Sequence, residues 1–450
     1  MSIETDDYKQ HPFMSKPHRT IIVLTIPATL SMIAEPITGA VDTAFVARLG
    51  AVPLAALGIG AAGLSSIFWV FNFLSISAQT EVAQAIGRKN HRRAVDIASL
   101  ALILGVLVGI VMILLGIPLA PAISRLLGAN DAVLDNAVLY FRIRLFAAPA
   151  VLITLVGFGV LRGLQDMRTP LVIAVLVNVL NIVLDYPLIF GYGAVPALGV
   201  GGSALASVIA QYVGASLVLW QVVQRLGLRW YLRFDEIRAL MQVGGDLFLR
   251  TSLLMIFILL TTRMANQISP EAGAAHQALR TIWMVLGLMM DGFAVTAQSL
   301  VGYFIGAKQV AIARRAATYN LAWGLLLGCG TLLVMLLSEN LLIALLVPDE
   351  SVSVFGRAWL IAALSQPLAA LAFVTDGIHW GTGDYTFLRN AMLTATGISA
   401  LLLFLVDPTA GGAFTLLWGV TLVWVLLRTV LGVGRIYLNT AGNPLRVANA

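Results

Sequence analysis

Residues 97–124 read IASLALILGVLVGIVMILLGIPLAPAIS, 28 positions without one charged side chain. About 20 apolar residues in a helix cross the hydrocarbon of a bilayer, so this stretch is long enough to span one. Working outward from it, twelve such stretches lie near 20–47, 53–84, 94–124, 133–161, 168–190, 198–224, 240–267, 274–304, 314–346, 355–381, 387–406 and 412–437. Of the 450 residues 59% are hydrophobic and 11% charged, with a mean hydropathy of +0.91. A soluble globular chain carries roughly 25% charged residues, so the expected fold is an all-α integral membrane one. Several stretches exceed what the bilayer requires, which implies tilt or extension into the loops. Pro36, Pro149, Pro187 and Pro367 fall in or at the ends of these helices, where neighbouring helices must satisfy the freed backbone groups.

The charges sit mostly between the spans. With the N-terminus inside, 19 basic residues fall on the cytoplasmic side and seven at the outer ends; Arg250 and Arg428 lie within helices and complete the 28. That bias predicts cytoplasmic termini. The net charge of +6 is scattered over short loops, which argues against a nucleic-acid partner. One cysteine, Cys329, lies in LLLGCGTLLV; it excludes an intrachain disulfide and is expected to be a buried structural thiol. Residues 1–18 are polar and of mixed charge, with neither an apolar core nor a cleavage site, and read as a short tail. The connection RLGLRWYLRFDEIRAL (225–240) is amphipathic and predicts an interfacial helix joining two halves.

The halves resemble each other. AQTEVAQAIGRKNHRRA (78–94) answers to AQSLVGYFIGAKQVAIARRA (297–316), with Gln79, Gly87 and Lys89 falling on Gln298, Gly306 and Lys308 at an offset of 219. At an offset of 218, Pro149, Gly163 and Asp166 fall on Pro367, Gly381 and Asp384. The chain is therefore expected to hold a tail (1–18), an N-lobe of six helices (19–224), a linker helix (225–240), a C-lobe of six (241–438) and a second tail (439–450). Two six-helix repeats in parallel orientation suit a transporter that works by alternating access around a central substrate site. A duplicated scaffold without transport is the bland alternative.

Charge inside the bilayer costs about 2.5–3.5 kcal/mol even on the lenient insertion scale, so intramembrane carboxylates point to mechanism. Asp42 lies toward the outer end of the first helix, with Glu35 seven residues earlier on the same face. Asn178, Asn181 and Asp185 in VNVLNIVLDYP form a second aligned stripe. Burial disfavours the charged form of a carboxylic acid, and a second carboxylate nearby disfavours it further; such a group takes up a proton on one side and releases it on the other. The alternative is that Asp185 braces a helix junction while the asparagines bond between helices. In the second half Asp291, Asp376 and His379 stand out. These carboxylates either serve coupling or substrate, together with Arg250, or neutralise Arg250, Arg263 or Arg280 across the lobe. Glu81, Asp166 and Asp384, near basic loops, are expected in ion pairs. Methionine and aromatic residues such as Met255, Met289, Phe257 and Phe293 give soft faces that suit varied hydrophobic ligands.

Pro27 with VDTAFVARLG (41–50), AQAIGRKN (83–90), LRGLQDMRTP (161–170), VNVLNIVLDYPLIFG (177–191) and GVGGSALAS (199–207) together resemble the multidrug and toxic compound extrusion (MATE) family along nearly the whole chain. Glu35-Pro36 and DGFAVTAQSLVGYFIGAK (291–308) look most like its DinF-like branch. The resemblance implies a V-shaped, twelve-helix monomer that exports organic compounds in exchange for H⁺ or Na⁺. It implies that Asp42 binds the proton, with Asn178, Asn181 and Asp185 as its network, and that Asp376 matches a helix-10 aspartate implicated in cation coupling; Glu35 and Ser203 are secondary candidates beside these. The seventh helix departs from the Na⁺-coupled pattern: DLFLRTSLLM (246–255) carries Arg250 and no glutamate, which favours protons. Thr38 stands where some relatives have a tyrosine.

The expected activity is thus proton-coupled export of amphipathic, often cationic, organic compounds across a bacterial inner membrane, with no cofactor beyond the coupling ion. Export of organic anions such as phenolic acids is the alternative, since Arg144, Arg250, Arg263 and Arg280 are available to pair with them. A lipid-precursor flippase would carry more helices and a more basic cleft. An intramembrane enzyme would need a catalytic set that the five histidines do not supply.

Overall fold

The computed structural model describes residues 7–438 and 442–446, apart from the side chain of Glu35. The sequence-predicted Glu35 side chain therefore lies outside the described residues, as do parts of both tails. Among the described residues the chain is almost wholly helical. In order the helices are α1 (Pro12–Ser15), α2 (Pro17–Ala47), α3 (Ala51–Val70), α4 (Asn72–Gly87), α5 (His91–Leu126), α6 (Asp131–Leu145), α7 (Ala148–Gly163) and α8 (Arg168–Phe190). There follow α9 (Val200–Arg225), α10 (Phe234–Ile268), α11 (Pro270–Gly306), α12 (Val310–Leu346), α13 (Val352–Leu364), α14 (Gln366–Thr382), α15 (Tyr385–Phe404) and α16 (Ala413–Tyr437).

The charge-free stretch that opened the sequence lies in α5. Asn90 caps this helix by accepting from the Arg93 N–H at 3.0 Å, and its 36 residues extend about 54 Å at 1.5 Å per residue, well beyond the hydrocarbon. Among the described residues ten helices are long and apolar enough to cross a membrane, and the spans number up to twelve when two bent pairs are each taken as one. Large apolar side chains such as Leu114, Leu337 and Leu401 are exposed, as a surface facing lipid requires.

Three spans that read as continuous are interrupted. The second breaks at Phe71 (φ −89°, ψ 4°). The fourth bends by 51° between α6 and α7, and the tenth by 46° between Asp349–Leu364 and α14. Pro149 and Pro367 sit in the first turns of α7 and α14, where a missing N–H costs nothing; the repeat therefore bends twice at one place. The expected interfacial helix at 225–240 is not formed. Residues 227–233 have no regular structure and α10 starts at Phe234. Gly227, at φ +80°, ends the preceding turn, and the strap is fastened instead: the Arg229 N–H donates to Ser99 Oγ at 3.1 Å while its guanidinium pairs with Asp96. Cys329 is exposed rather than buried, because its position on α12 faces away from the core.

The chain divides into two compact units, Leu30–Gly244 (the N-unit) and Met1–Thr29 with Gly245–Ala450 (the C-unit). The boundaries fall inside α2 and α10. The core of the N-unit includes Val46, Leu64, Tyr140, Phe141, Leu145 and Ile189; that of the C-unit centres on Phe355, Trp359, Trp418 and Trp424. The same close contacts recur in both. A Cβ on Gly163 would stand 2.7 Å from the Gln79 carbonyl, and one on Gly381 would stand 2.6 Å from the Gln298 carbonyl. Lys89 and Lys308 end α4 and α11 in the left-handed region at φ 56° and 59°. Duplicated sequence has become duplicated backbone.

Candidate functional site

In the N-unit the predicted stripe converges on one buried cluster. Asp42 comes from α2, Asn181 and Asp185 from α8, and Ser203 and Ser207 from α9; all five side chains are buried. The Asn181 amide donates to Asp185 Oδ2 at 3.1 Å, and the Ser207 hydroxyl donates to Asn181 Oδ1 at 3.2 Å. This chain of donors fixes the asparagine's orientation and leaves Asp185 Oδ1 without a donor. Asp42 lies within hydrogen-bonding range of Asp185, and its own Oδ1 also lacks a donor. Ionised carboxylates are acceptors only, so two of them in contact repel unless a proton lies between them. Ser203, one turn before Ser207, is fully buried with its Oγ unpartnered.

Around this pair the surroundings are mixed. Arg144 on α6 adds a positive field at Asp42 and meets the Tyr140 hydroxyl, while its Nε and Nη1 are buried without partners. Cross-helix neighbours such as Arg144 and Ser207 were not assigned to the network from sequence, since no spacing rule links α6 or α9 to α2. Asn178 is half-buried one turn from Asn181 and takes no part in the donor chain that ends on Asp185. Thr38 turns back on its own helix, donating to the Ala34 carbonyl at 3.3 Å.

The C-unit candidates also meet, but as an ion cluster. Asp376 on α14 takes Arg250 from α10 and Arg428 from α16 on the same Oδ2 atom, Arg428 at 2.8 Å. All three are buried, between 5% and 8% exposed. Asp291 on α11 lies in the field of Arg428. Arg428 was visible in the sequence as a charge inside the last span, and only its partner was not. His379, beside Asp376, is buried and bonds the Gly432 carbonyl at 3.0 Å. Arg263 is exposed, and Arg280 donates to Thr262 Oγ1 at 3.3 Å; neither joins the cluster. The bland alternative for the C-lobe carboxylates is thus met for Asp376 by Arg250 and by an arginine outside the expected set.

The repeat gives these charges a reference. In the N-unit Arg162 donates to Ser31 Oγ at 3.3 Å and lies over the Phe158 ring at 5.8 Å. Offsets of 219 and 218 carry Ser31, Phe158 and Arg162 onto Arg250, Asp376 and Trp380. The three positions touch in both units, but their chemistry differs. The ion pairs expected nearer the loops are present in both: Asp166 with Arg225, and Asp384 with Arg435 at 3.0 Å. Asp166 also accepts the N–H groups of Arg168 and Thr169 at 3.1 Å each.

Comparison with known proteins agrees with this geometry. The MatE family model matches residues 27–187 and again 247–408, once in each half. Among curated proteins, Protein DETOXIFICATION 44, chloroplastic, of Arabidopsis thaliana is 31% identical, covering 96% of this chain and 85% of its own. DNA damage-inducible protein F of Escherichia coli (strain K12) is 30% identical, over 92% and 91%. Among solved structures, MATE in the bent conformation superposes with a TM-score of 0.85 at 21% identity, over 93% of this chain and 95% of that one. Repeated sets of apolar helices, matched twice by one family model, place the chain in the MatE family, the multidrug and toxic compound extrusion transporters, as a multi-pass membrane transporter and not an enzyme.

Proposed function

We propose that the protein is a secondary active antiporter that exports amphipathic organic compounds in exchange for protons, with the Asp42–Asp185 pair as the proton site. The observation that carries this reading is the contact of two buried carboxyl groups, each with one oxygen that has no donor. Taking up a proton turns mutual repulsion into a hydrogen bond between α2 and α8; losing it drives the two helices' side chains apart or calls in another cation. A site that alternates between these states couples proton movement to a change in packing. Asn181, steadied by Ser207, holds Asp185 in place in both states. Asp376, by contrast, has its charge neutralised by two guanidinium groups. Protons rather than Na⁺ suit this arrangement, since a shared proton needs only two oxygens whereas a metal cation asks for a larger oxygen shell.

The bias of basic residues toward one set of loops supports cytoplasmic termini. Two repeats in one chain support a functional monomer. The test is efflux from proteoliposomes under an imposed pH or Na⁺ gradient. The expected result is that a pH gradient alone drives transport and that Asp42→Asn stops it. Intact pH-driven efflux in Asp42→Asn would remove the proton site, and efflux driven by Na⁺ alone would replace the coupling ion.

A further inference from the structure

We propose that a groove on the N-unit, bordered by the strap at 227–233, holds an anionic phospholipid of the adjoining leaflet, its acyl chain along α5 and its phosphate at Arg229 and Arg92. The groove has a volume of about 510 Å³, within the range of small-ligand sites. Ile103 and Val106 of α5, Ile153 of α7, Leu219 of α9, and Leu228 and Trp230 of the strap give it apolar walls. Ser99 and Arg229 are its polar lining, and the Arg229 N–H bonded to Ser99 Oγ fixes where the strap crosses α5. Water finds too few partners along such walls to fill them, whereas a hydrocarbon chain needs none.

The strap itself is built for a membrane boundary. Leu228, Trp230 and Leu232 are exposed, Trp230 by 82%, while the alternate residues turn inward: Arg229 to Asp96, and Tyr231, whose hydroxyl donates to Glu236 at 2.6 Å. Alternation along an extended segment sets an apolar row on one side, and tryptophan is favoured where hydrocarbon meets water. The head group has its own partners. Arg229 Nε is left without an acceptor. Arg92 is exposed and shares the α5 face of Ser99, Ile103 and Val106, about 10 Å beyond Ser99 along the axis. Arg88 and Arg233 are exposed on the same side. Of the acids here, Asp96 and Glu236 are already paired with Arg229 and Arg93, and Asp235 is exposed. The surplus is positive, which selects an anionic head group. The repeat shows that the open groove is not inherited scaffolding. At the offset of 219, Trp230 and Leu232 fall on His11 and Phe13, and there Phe13 is buried, with its ring 5.6 Å from that of Phe304 and 5.9 Å from that of Tyr319. The C-unit closes on its own chain where the N-unit stays open.

The experiment is native mass spectrometry of the full-length protein in detergent with equal amounts of dioleoyl phosphatidylglycerol and dioleoyl phosphatidylcholine. The expected result is that the first lipid retained is phosphatidylglycerol, favoured about fivefold or more. Arg92→Gln lowers its retention about fivefold, the effect of one cation near the head group, and leaves phosphatidylcholine as it was. Val106→Trp fills the groove and lowers both lipids. Where Val106→Trp is poorly folded, Trp230→Ser, at an exposed position, carries the same test. Glycerol phosphate, a head group without a chain, does not displace the lipid. Equal retention of the two lipids by the wild type would show an unselective surface and overturn the site. So would unchanged phosphatidylglycerol in Arg92→Gln, unchanged lipid in the groove variants, or displacement by glycerol phosphate, which marks a bare anion site. The lipid site does not presuppose export, so loss of pH-driven efflux with phosphatidylglycerol still retained would fault the export reading alone.

Discussion

In the N-unit, Ser31, Phe158 and Arg162 meet through one hydrogen bond and one ring contact; in the C-unit the equivalent places hold Arg250, Asp376 and Trp380, and an ion cluster replaces them. The N-unit keeps its own buried carboxylates elsewhere, on α2 and α8, in contact with each other and with an asparagine. Two copies of one backbone thus carry opposite electrostatic designs. One sets two acids against each other with Arg144 nearby, the other sets one acid between two guanidinium groups. Backbone features are shared because they answer to packing: the bends at Pro149 and Pro367, the glycines pressed on carbonyls, the left-handed lysines. Side chains that do chemistry were free to diverge on that frame.

The comparison can be broken most sharply by exchanging charges for amides. Asp42→Asn and Asp185→Asn should each reduce pH-driven efflux to background, whereas Asp376→Asn should leave proton exchange in place; equal loss in all three would abolish the distinction between the units. The next effect is smaller. Asn181→Ala removes the donor to Asp185 and should slow efflux about tenfold, the equivalent of one hydrogen bond to a charged group, with little change in a thermal melt. An unchanged rate would show that Asp185 is positioned by its helix alone.

The shared frame has its own tests. Gly163→Leu and Gly381→Leu each force a side chain against a helix carbonyl and should cost about 1–3 kcal/mol apiece, read as similar drops in melting temperature. A large drop at one and none at the other would mean that the repeat is looser than its geometry. At the low end, Asp166→Ala removes two N–H contacts and an ion pair, and Asp384→Ala removes an ion pair. Asp166→Ala should therefore cost more, about 1 kcal/mol, and Asp384→Ala less. The reverse order would show that the caps are not what these aspartates supply.

Much of this was open to reading in the sequence, and the reasons differ by feature. The spans are legible because a lipid-facing helix must be apolar over its whole length. The repeat is legible because matched residues such as Lys89 and Lys308 end their helices in the same left-handed turn in both halves. Asn181 and Asp185 are legible as a pair because four residues apart is one helical turn. Partnerships across helices are not: Arg428 and Asp376 stand 52 residues apart, and nothing local links them. The strap at 227–233 misleads for a related reason. Its alternating charges resemble an amphipathic helix, but Arg229 is committed to Asp96, and Glu236, just beyond the strap, to Arg93 at 2.6 Å. Distant partners, absent from any local window, decide its conformation.

The exposure of Cys329 has a practical consequence. It is the sole thiol in the chain, and it lies on the outside of α12 rather than in a core. A membrane-permeant maleimide therefore attaches one probe per molecule at one known place, without removing other cysteines first. Two copies that meet along that surface would also betray themselves by oxidising to a covalent pair, and copies that never meet would stay reduced. The same atom that contributes little to folding thus offers a ready gauge of whether the transporter works alone.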